Sequence, residues 1–295
     1  MVGAVDAARL VRRVREVYPE LNVATTRLIS GHGQNNLVLV VDGRLVFRFP
    51  RHAAGVAALP REAAILRALG GRLPLTIPEP RYVACDEPEV GRAFLGYPML
   101  PGQPLRRETL EATTDRRALA ALGEQIGNFL RHLHAVPPGD VLPAEVAGFD
   151  GLAFWRDLYA RIERRLFEHM RPDARAATAR HFEAFLTDPA SAAFRPALVH
   201  GDFGTGNILH DPEQPIATGV IDFGHTGIGD PAVDFAALPW TPRPFLDGLA
   251  AAYPEVTGAP DRVRFYRGTF ALQEALFGVE QGDHAAFRAG IAPYV

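Results

Sequence analysis

Apolar positions recur along this chain in two rhythms. Up to Gly102 short alternating runs dominate, and beyond it the spacing is mainly helical. Leu10, Val14 and Val17 fall one helical turn apart, with Asp6 before them to cap and Pro19 after them to stop, so Asp6 to Tyr18 predicts a helix. Residues 27–30, 37–41 and 45–49 read as strands. The first pair is joined by a loop from Gly31 to Asn36, and the second by Asp42-Gly43, a strong two-residue hairpin signal. In the third strand Leu45, Phe47 and Phe49 share one face, which leaves Arg48 on the other. Pro60 suits the first turn of a helix with Ile65, Leu66 and Leu69 inward, ended by Gly70-Gly71. A rigid linker, Ile77 to Pro80, leads to a strand over residues 81–85. A last strand begins at Phe94 and runs into the Pro/Gly segment ending at Gly102.

Beyond that point Leu119, Leu122, Ile126, Phe129 and Leu133 form a clean stripe, which predicts a long core helix from Thr114 to His134, broken by Pro137-Pro138-Gly139. His132 and His134 are two apart and cannot share a helix face, so neither reads as a metal ligand. Trp155, Leu158, Ile162 and Leu166 mark another helix, and Phe182, Phe185 and Leu186 a third. Asp261 to Val279 is the last long helix, followed by a short one. Between these lies a strand pair: residues 208–210, a turn at Asp211-Pro212-Glu213-Gln214-Pro215, and residues 216–221.

That hairpin carries the chemistry. Before it stands His200-Gly201-Asp202-Phe203-Gly204-Thr205-Gly206-Asn207, and it delivers Ile221-Asp222-Phe223-Gly224. An Asp, an Asn five positions later and a second Asp after another strand form the set that phosphoryl transfer uses. One carboxylate takes the proton of the attacking hydroxyl, while the amide and the second carboxylate hold Mg²⁺ on the phosphates.

His-Gly-Asp-x₄-Asn followed by Ile-Asp-Phe-Gly resembles the aminoglycoside phosphotransferase family, within the protein-kinase-like superfamily. Protein kinases usually carry Arg in the middle of the first motif, whereas this chain has Gly201 there, as the small-molecule kinases do. The resemblance implies Asp202 as catalytic base, Asn207 and Asp222 as Mg²⁺ ligands, and His200 as a structural loop residue. Arg48 stands where kinases place a strand Lys that binds the phosphates. An Arg there keeps the charge but replaces a point charge by a fork. Glu62 occupies the place of the helix Glu that pairs with that cation. The phosphate loop keeps only Gly31 and Gly33, so its backbone N–H groups or the side chains of Ser30 and Asn35 are implied to reach the phosphates. Tyr97 falls at the back of the nucleotide pocket, with the Pro98 carbonyl and the Leu100 N–H facing adenine. A similar Asp-Pro-x-x-Asp, from Asp230 to Asp234, is expected to fix the catalytic loop and start a helix, with Asp230 as cap. On the acceptor side the resemblance points to Asp234, Glu274 and Glu280.

The implied fold is α+β and kinase-like in two lobes: a small sheet lobe over 1–97 that binds nucleotide, and a larger helical catalytic lobe over 98–295. The implied activity is transfer of the γ-phosphate of ATP or GTP, with Mg²⁺, to a hydroxyl of an aminoglycoside-type antibiotic. The alternatives are a macrolide or a metabolic alcohol or sugar as acceptor, and a non-catalytic nucleotide-binding module. The resemblance is strongest from Leu198 to Asp234 and weakest after Pro239.

Composition narrows this further. Of 295 residues, 47% are hydrophobic and 22% charged, and the net charge of −3 gives no basic field for a nucleic-acid partner. There is no Lys at all, so Arg supplies every strong base. Arg9, Arg12, Arg13 and Arg15 read as a solvated helix face. Cys85 is the sole cysteine, which excludes an internal disulfide and suits a reducing cytoplasm. No apolar run approaches the roughly 20 residues needed to span a bilayer, and no apolar leader with a cleavage site opens the chain. A monomer acting on small molecules is the expected state.

Overall fold

Asp42 and Gly43 turn the chain with both φ angles positive, 51° and 63°, the twist a two-residue hairpin needs. Arg44 N–H closes the turn on Val41 O at 3.0 Å, and the Asp42 carboxylate accepts the Thr25 N–H at 2.6 Å. The computed structural model describes residues 7–29, 35–146, 150–238 and 240–295. It divides into two units: Met1–Pro104 with Asn207–Thr226, and Leu105–Gly206 with Gly227–Val295.

The first unit is built on an antiparallel sheet. Its strands are β1 (Thr26–Ile29), β2 (Asn36–Val41), β3 (Leu45–Pro50), β4 (Tyr82–Ala84) and β5 (Phe94–Pro98), in the order β1-β2-β3-β5-β4. Helix α1 (Ala7–Val17) packs Leu10 and Val14 against Leu39, Phe47, Phe49 and Phe94, all buried. This is the aromatic face that the alternation in β3 predicts. Tyr18 ties the end of α1 to β4, accepting from Val83 N–H at 2.8 Å and donating to Val83 O at 3.1 Å. Arg13 departs from its expected solvated setting. It is buried, because its Nε reaches Arg92 O at 3.1 Å and its Nη2 lies 2.9 Å from Glu87.

Helix α2 (Ala53–Leu69) begins seven residues before Pro60, which lies inside it rather than at its start. The Ala-rich lead Ala53, Ala54, Ala57 and Ala58 favours helix, and proline removes a single N–H, the one that would have reached Val56 O. Glu62 is therefore a mid-helix residue, 4% exposed, and not a solvated first-turn acid. A three-stranded sheet completes this unit: β6 (Gln103–Pro104), β8 (Ile208–His210) and β9 (Ala217–Val220), in the order β6-β8-β9.

The second unit contains the two-stranded pair β7 (Ala197–Val199) and β10 (Gly227–Gly229). Its helices are α3 (Arg107–Ala112), α4 (Arg116–Ala135), α5 (Pro138–Val141), α6 (Pro143–Val146), α7 (Ala153–Leu166), α8 (Pro172–Thr187), α9 (Arg243–Ala252), α10 (Pro254–Thr257), α11 (Pro260–Gln281) and α12 (His284–Ile291). The whole apolar stripe of α4 is buried, and Asp115 caps that helix through the N–H groups of Arg117 and Ala118. Helices α4 and α9 approach through glycine. A Cβ on Gly123 would lie 2.0 Å from Phe245 O, and one on Gly248 2.0 Å from Ala120 O. Helices α7, α8, α11 and α12 enclose a second core, in which Phe185 and Phe265 stack at 3.6 Å. Among the described residues no helix is long and apolar enough to cross a membrane.

Candidate active site

In the first unit, three charged side chains from three elements meet. Arg48 on β3 places Nη1 2.5 Å from Glu62 Oε1 on α2 and Nη2 2.7 Å from Asp222 Oδ1 at the end of β9. The cross-strand pair Arg48–Leu95 and its neighbour Val46–Tyr97 lie on the same sheet face, so the buried Tyr97 ring joins them. Burial alone would lower the Arg48 pKa, but Asp222 and Glu62 outweigh it and hold the guanidinium above its ordinary value. The Tyr97 phenol is pushed up to about 12, chiefly by burial. With Arg48 at +1 and the two carboxylates at −1 each, the cluster carries one net negative charge. Asp222, 31% exposed, is its open side.

Asp222 has φ 67°, the left-handed region that non-glycine residues seldom visit. Such an outlier marks a position where the fold forces a side chain to a set place. Asn207 stands at the same end of the β8–β9 hairpin, where its carbonyl accepts the Ile221 N–H at 2.9 Å. A carboxylate and a carboxamide are ligand types that suit magnesium. That ion is usually held by one or two carboxylates together with phosphates and waters, not by an all-protein cage. Among the described residues no group of three or more His, Cys, Asp or Glu forms such a cage.

In the second unit, β7 leads directly into His200-Gly201-Asp202. The backbone of this loop is held by Asp234, which is 0% exposed. Its Oδ2 accepts the His200 N–H at 2.8 Å and its Oδ1 the Gly201 N–H at 2.9 Å. His134 on α4 brings Nε2 to 2.9 Å from Oδ2. A buried carboxylate with these partners is well satisfied. The His200 ring, also buried, accepts the Asp202 N–H through Nδ1 at 3.3 Å, and Phe203 stacks on Phe129 of α4. Asp202 itself is exposed, on a loop whose main chain is fixed.

Asp230 caps the 3₁₀ segment Pro231–Phe235 through the Ala232 N–H at 3.0 Å. Its Oδ2 accepts from Arg262 Nε at 2.5 Å and from the Tyr266 hydroxyl at 2.9 Å, both on α11. Burial, followed by Asp230, keeps the Tyr266 phenol well above its usual value.

The remaining candidates are dispersed. Pro98 ends β5 opposite Leu45, and Leu100 is buried. Glu274 and Glu280 lie on α11, and both Glu280 oxygens accept from Arg161, at 3.0 and 2.6 Å. Ser30, Gly31 and Gly33 lie outside the described residues. Sequence reasoning gave no role to His134. The signal was present, since His134 follows Gly123, Gly127 and Leu130 at intervals of four, three and four, all on one helix face. His132 points elsewhere, with Nδ1 2.8 Å from Asn128 O.

A model of the phosphotransferase enzyme family matches residues 25–266. Viomycin phosphotransferase from Streptomyces vinaceus is 32% identical over 272 residues, covering 89% of this chain and 90% of that protein. The GDP complex of wild-type aminoglycoside 2′-phosphotransferase-IIIa superposes with a TM-score of 0.84 at 23% identity, over 97% of this chain and 96% of the other. Macrolide 2′-phosphotransferase type I gives 0.72 at 22%, over 100% and 98%. At those identities the structural likenesses bear on the fold alone, and they agree with the kinase-like division into a small sheet part and a larger helical part.

Proposed function

The chain belongs to the phosphotransferase enzyme family and is a phosphotransferase with an alcohol group as acceptor; we propose that it moves the γ-phosphoryl group of ATP or GTP to a hydroxyl of viomycin or of an aminoglycoside-type antibiotic. The observation that supports this most is the contact of buried Arg48 with both Glu62 and Asp222. It keeps a cation and a metal-binding carboxylate together where phosphate is to be received. The acceptor class is supported by the 32% identity to viomycin phosphotransferase along most of both chains.

In this reading each residue has one task. Asp202 accepts the proton of the attacking hydroxyl, for which an exposed carboxylate on a fixed loop is suited. Arg48 supplies positive charge to the phosphates, and Glu62 keeps its fork in place. Ser30, Tyr97, Pro98 and Leu100 belong to the nucleotide site. Asn207 and Asp222 would hold magnesium, which would supply charge neutralisation for the phosphoryl transfer. Asp234 serves the loop and does not touch the acceptor, because its oxygens are taken by His200 and Gly201. Glu274 and Glu280 on α11 are the carboxylates a cationic acceptor would meet. The lone Cys85 suits work in a reducing cytoplasm.

The test is turnover of ATP and of GTP with viomycin, kanamycin, gentamicin and a macrolide, each with and without Mg²⁺. Magnesium-dependent transfer to viomycin or to an aminoglycoside is expected. Transfer to the macrolide alone would move the acceptor assignment, and transfer to none would overturn the reading.

A further inference from the structure

Helices α8 and α11 of the second unit bound a cavity of about 390 Å³, and none of the residues assigned to phosphoryl transfer lines it. Its apolar wall is aromatic. Phe185 on α8 and Phe265 on α11 stack there, and the His181 ring lies over Phe265 with centroids 4.9 Å apart. Gly268 leaves room for that ring, since a Cβ on it would lie 2.6 Å from His181 Nε2. The charged groups of the lining are already engaged. Arg262 is held by Asp230, Arg264 lies 2.9 Å from Asp261, and Asp188 accepts the Ala190 N–H at 2.9 Å.

Other polar groups of the lining are uncommitted among the described residues. Ser191 is 5% exposed; its N–H bonds Asp188 O at 3.0 Å, but its hydroxyl has no partner there. Helix α11 starts without a side-chain cap. Pro260 at its first position has no N–H, so the Asp261 and Arg262 N–H groups stand at the positive end of the helix without an acceptor. His181 Nε2 bonds Phe265 O at 3.0 Å. A carbonyl only accepts, so Nε2 carries the proton, and Nδ1 of the neutral ring is a free acceptor. We infer that this cavity is a binding site for a small aromatic monocarboxylate with a hydroxyl opposite its carboxylate. The ligand ring packs on the wall of Phe185 and Phe265. Its carboxylate accepts from the two helix N–H groups and the Ser191 hydroxyl, and its hydroxyl donates to His181 Nδ1. From Asp261, Phe265 and Gly268 are four and seven residues on. At 1.5 Å per residue that is about 6–10 Å, the span of one ring substituted at both ends. The lining carries Asp188 and Asp261 against Arg262 and Arg264, so its formal charges cancel. One negative charge therefore suits it better than a phosphate dianion.

The probe is 4-hydroxybenzoate, titrated into the full chain without nucleotide or antibiotic, so the outcome is independent of turnover. Carbon-13 labelled alanine methyl groups report binding, because Ala184, Ala190 and Ala259 line the cavity. Saturable shifts, largest at these three methyls, are expected, with a dissociation constant of about 1 mM or tighter, the range for a ligand of roughly ten heavy atoms. Ser191→Ala should weaken binding roughly three- to tenfold. The neutral analogue 4-hydroxybenzamide should bind at least about fivefold more weakly than the carboxylate. Ala184 is exposed on α8, so Ala184→Trp fills the cavity from its rim; it should abolish binding and leave phosphoryl transfer at the parent rate. If Ser191→Ala does not fold, Ala184→Trp and the amide decide. The inference is overturned by the absence of saturable shifts up to about 10 mM probe, by shifts largest at other alanines, or by parent-like binding in Ala184→Trp. The amide or inorganic phosphate binding as tightly as the carboxylate would overturn it equally.

Discussion

The Arg48 guanidinium bridges Glu62 and Asp222, with one nitrogen 2.5 Å from the first and another 2.7 Å from the second. The two acids come from a helix and from a hairpin 160 residues apart in the chain. Arg48 and Glu62 are almost fully buried, so neither can turn to water when its partner is lost.

Arg48→Ala should therefore destabilise the fold by about 3–5 kcal/mol, the usual cost of leaving a buried charge unpaired. Arg48→Lys should recover part of that, since one ammonium reaches only one carboxylate well. Urea melts of the three proteins measure this. An Arg48→Ala protein as stable as the parent would mean that Glu62 finds another partner.

Asp222→Asn should behave differently. Its side chain is partly exposed, and Asn can still accept from Arg48, so stability should change by less than about 1 kcal/mol. The Mg²⁺ concentration needed for half-maximal nucleotide binding should rise at least about tenfold, and less for Asn207→Ala, because a neutral oxygen is the weaker ligand. Magnesium titrations at fixed nucleotide read this out. Identical curves for parent and Asp222→Asn would remove Asp222 from the metal site.

The Tyr97 phenol titrates near 10 when solvated and at about 12 in the folded protein. A raised folded value means that its contribution to stability is complete below the unfolded value and is lost as pH rises through the folded one. Stability should fall from about pH 10 to about pH 12. Tyr97→Phe should make that fall shallower by about 1.4 kcal/mol per pH unit. Denaturant melts at several alkaline pH values, parent against variant, give the slopes. Parallel slopes would show that Tyr97 does not contribute.

What the sequence made legible was local. The Asp42-Gly43 turn, the stripe of α4 and the alternation that sets Arg48 against Phe47 and Phe49 each depend on a few neighbouring residues. The start of α2 was hidden because Pro60 favours a first turn, while the alanines before it favour continuing helix. Arg13 read as solvated because its acceptor, Arg92 O, is 79 positions away. The grouping of residues 207–226 with the N-terminal segment is likewise a long-range fact. In the site, the motif residues carry a fixed spacing and so could be named. The part of His134 depends on α9 packing on α4, which spacing within α4 can suggest but not complete.

In the proposed mechanism Asp202 takes the hydroxyl proton during transfer from a magnesium nucleotide. Mass spectrometry of the acceptor after incubation with Mg²⁺, ATP or GTP, and the parent or Asp202→Ala protein tests it most directly, with nucleotide affinity measured alongside by calorimetry. One added phosphate is expected with the parent, with a loss of at least about a hundredfold in rate with Asp202→Ala and nucleotide affinities within about twofold of each other. Phosphorylated acceptor formed by Asp202→Ala at the parent rate would contradict it.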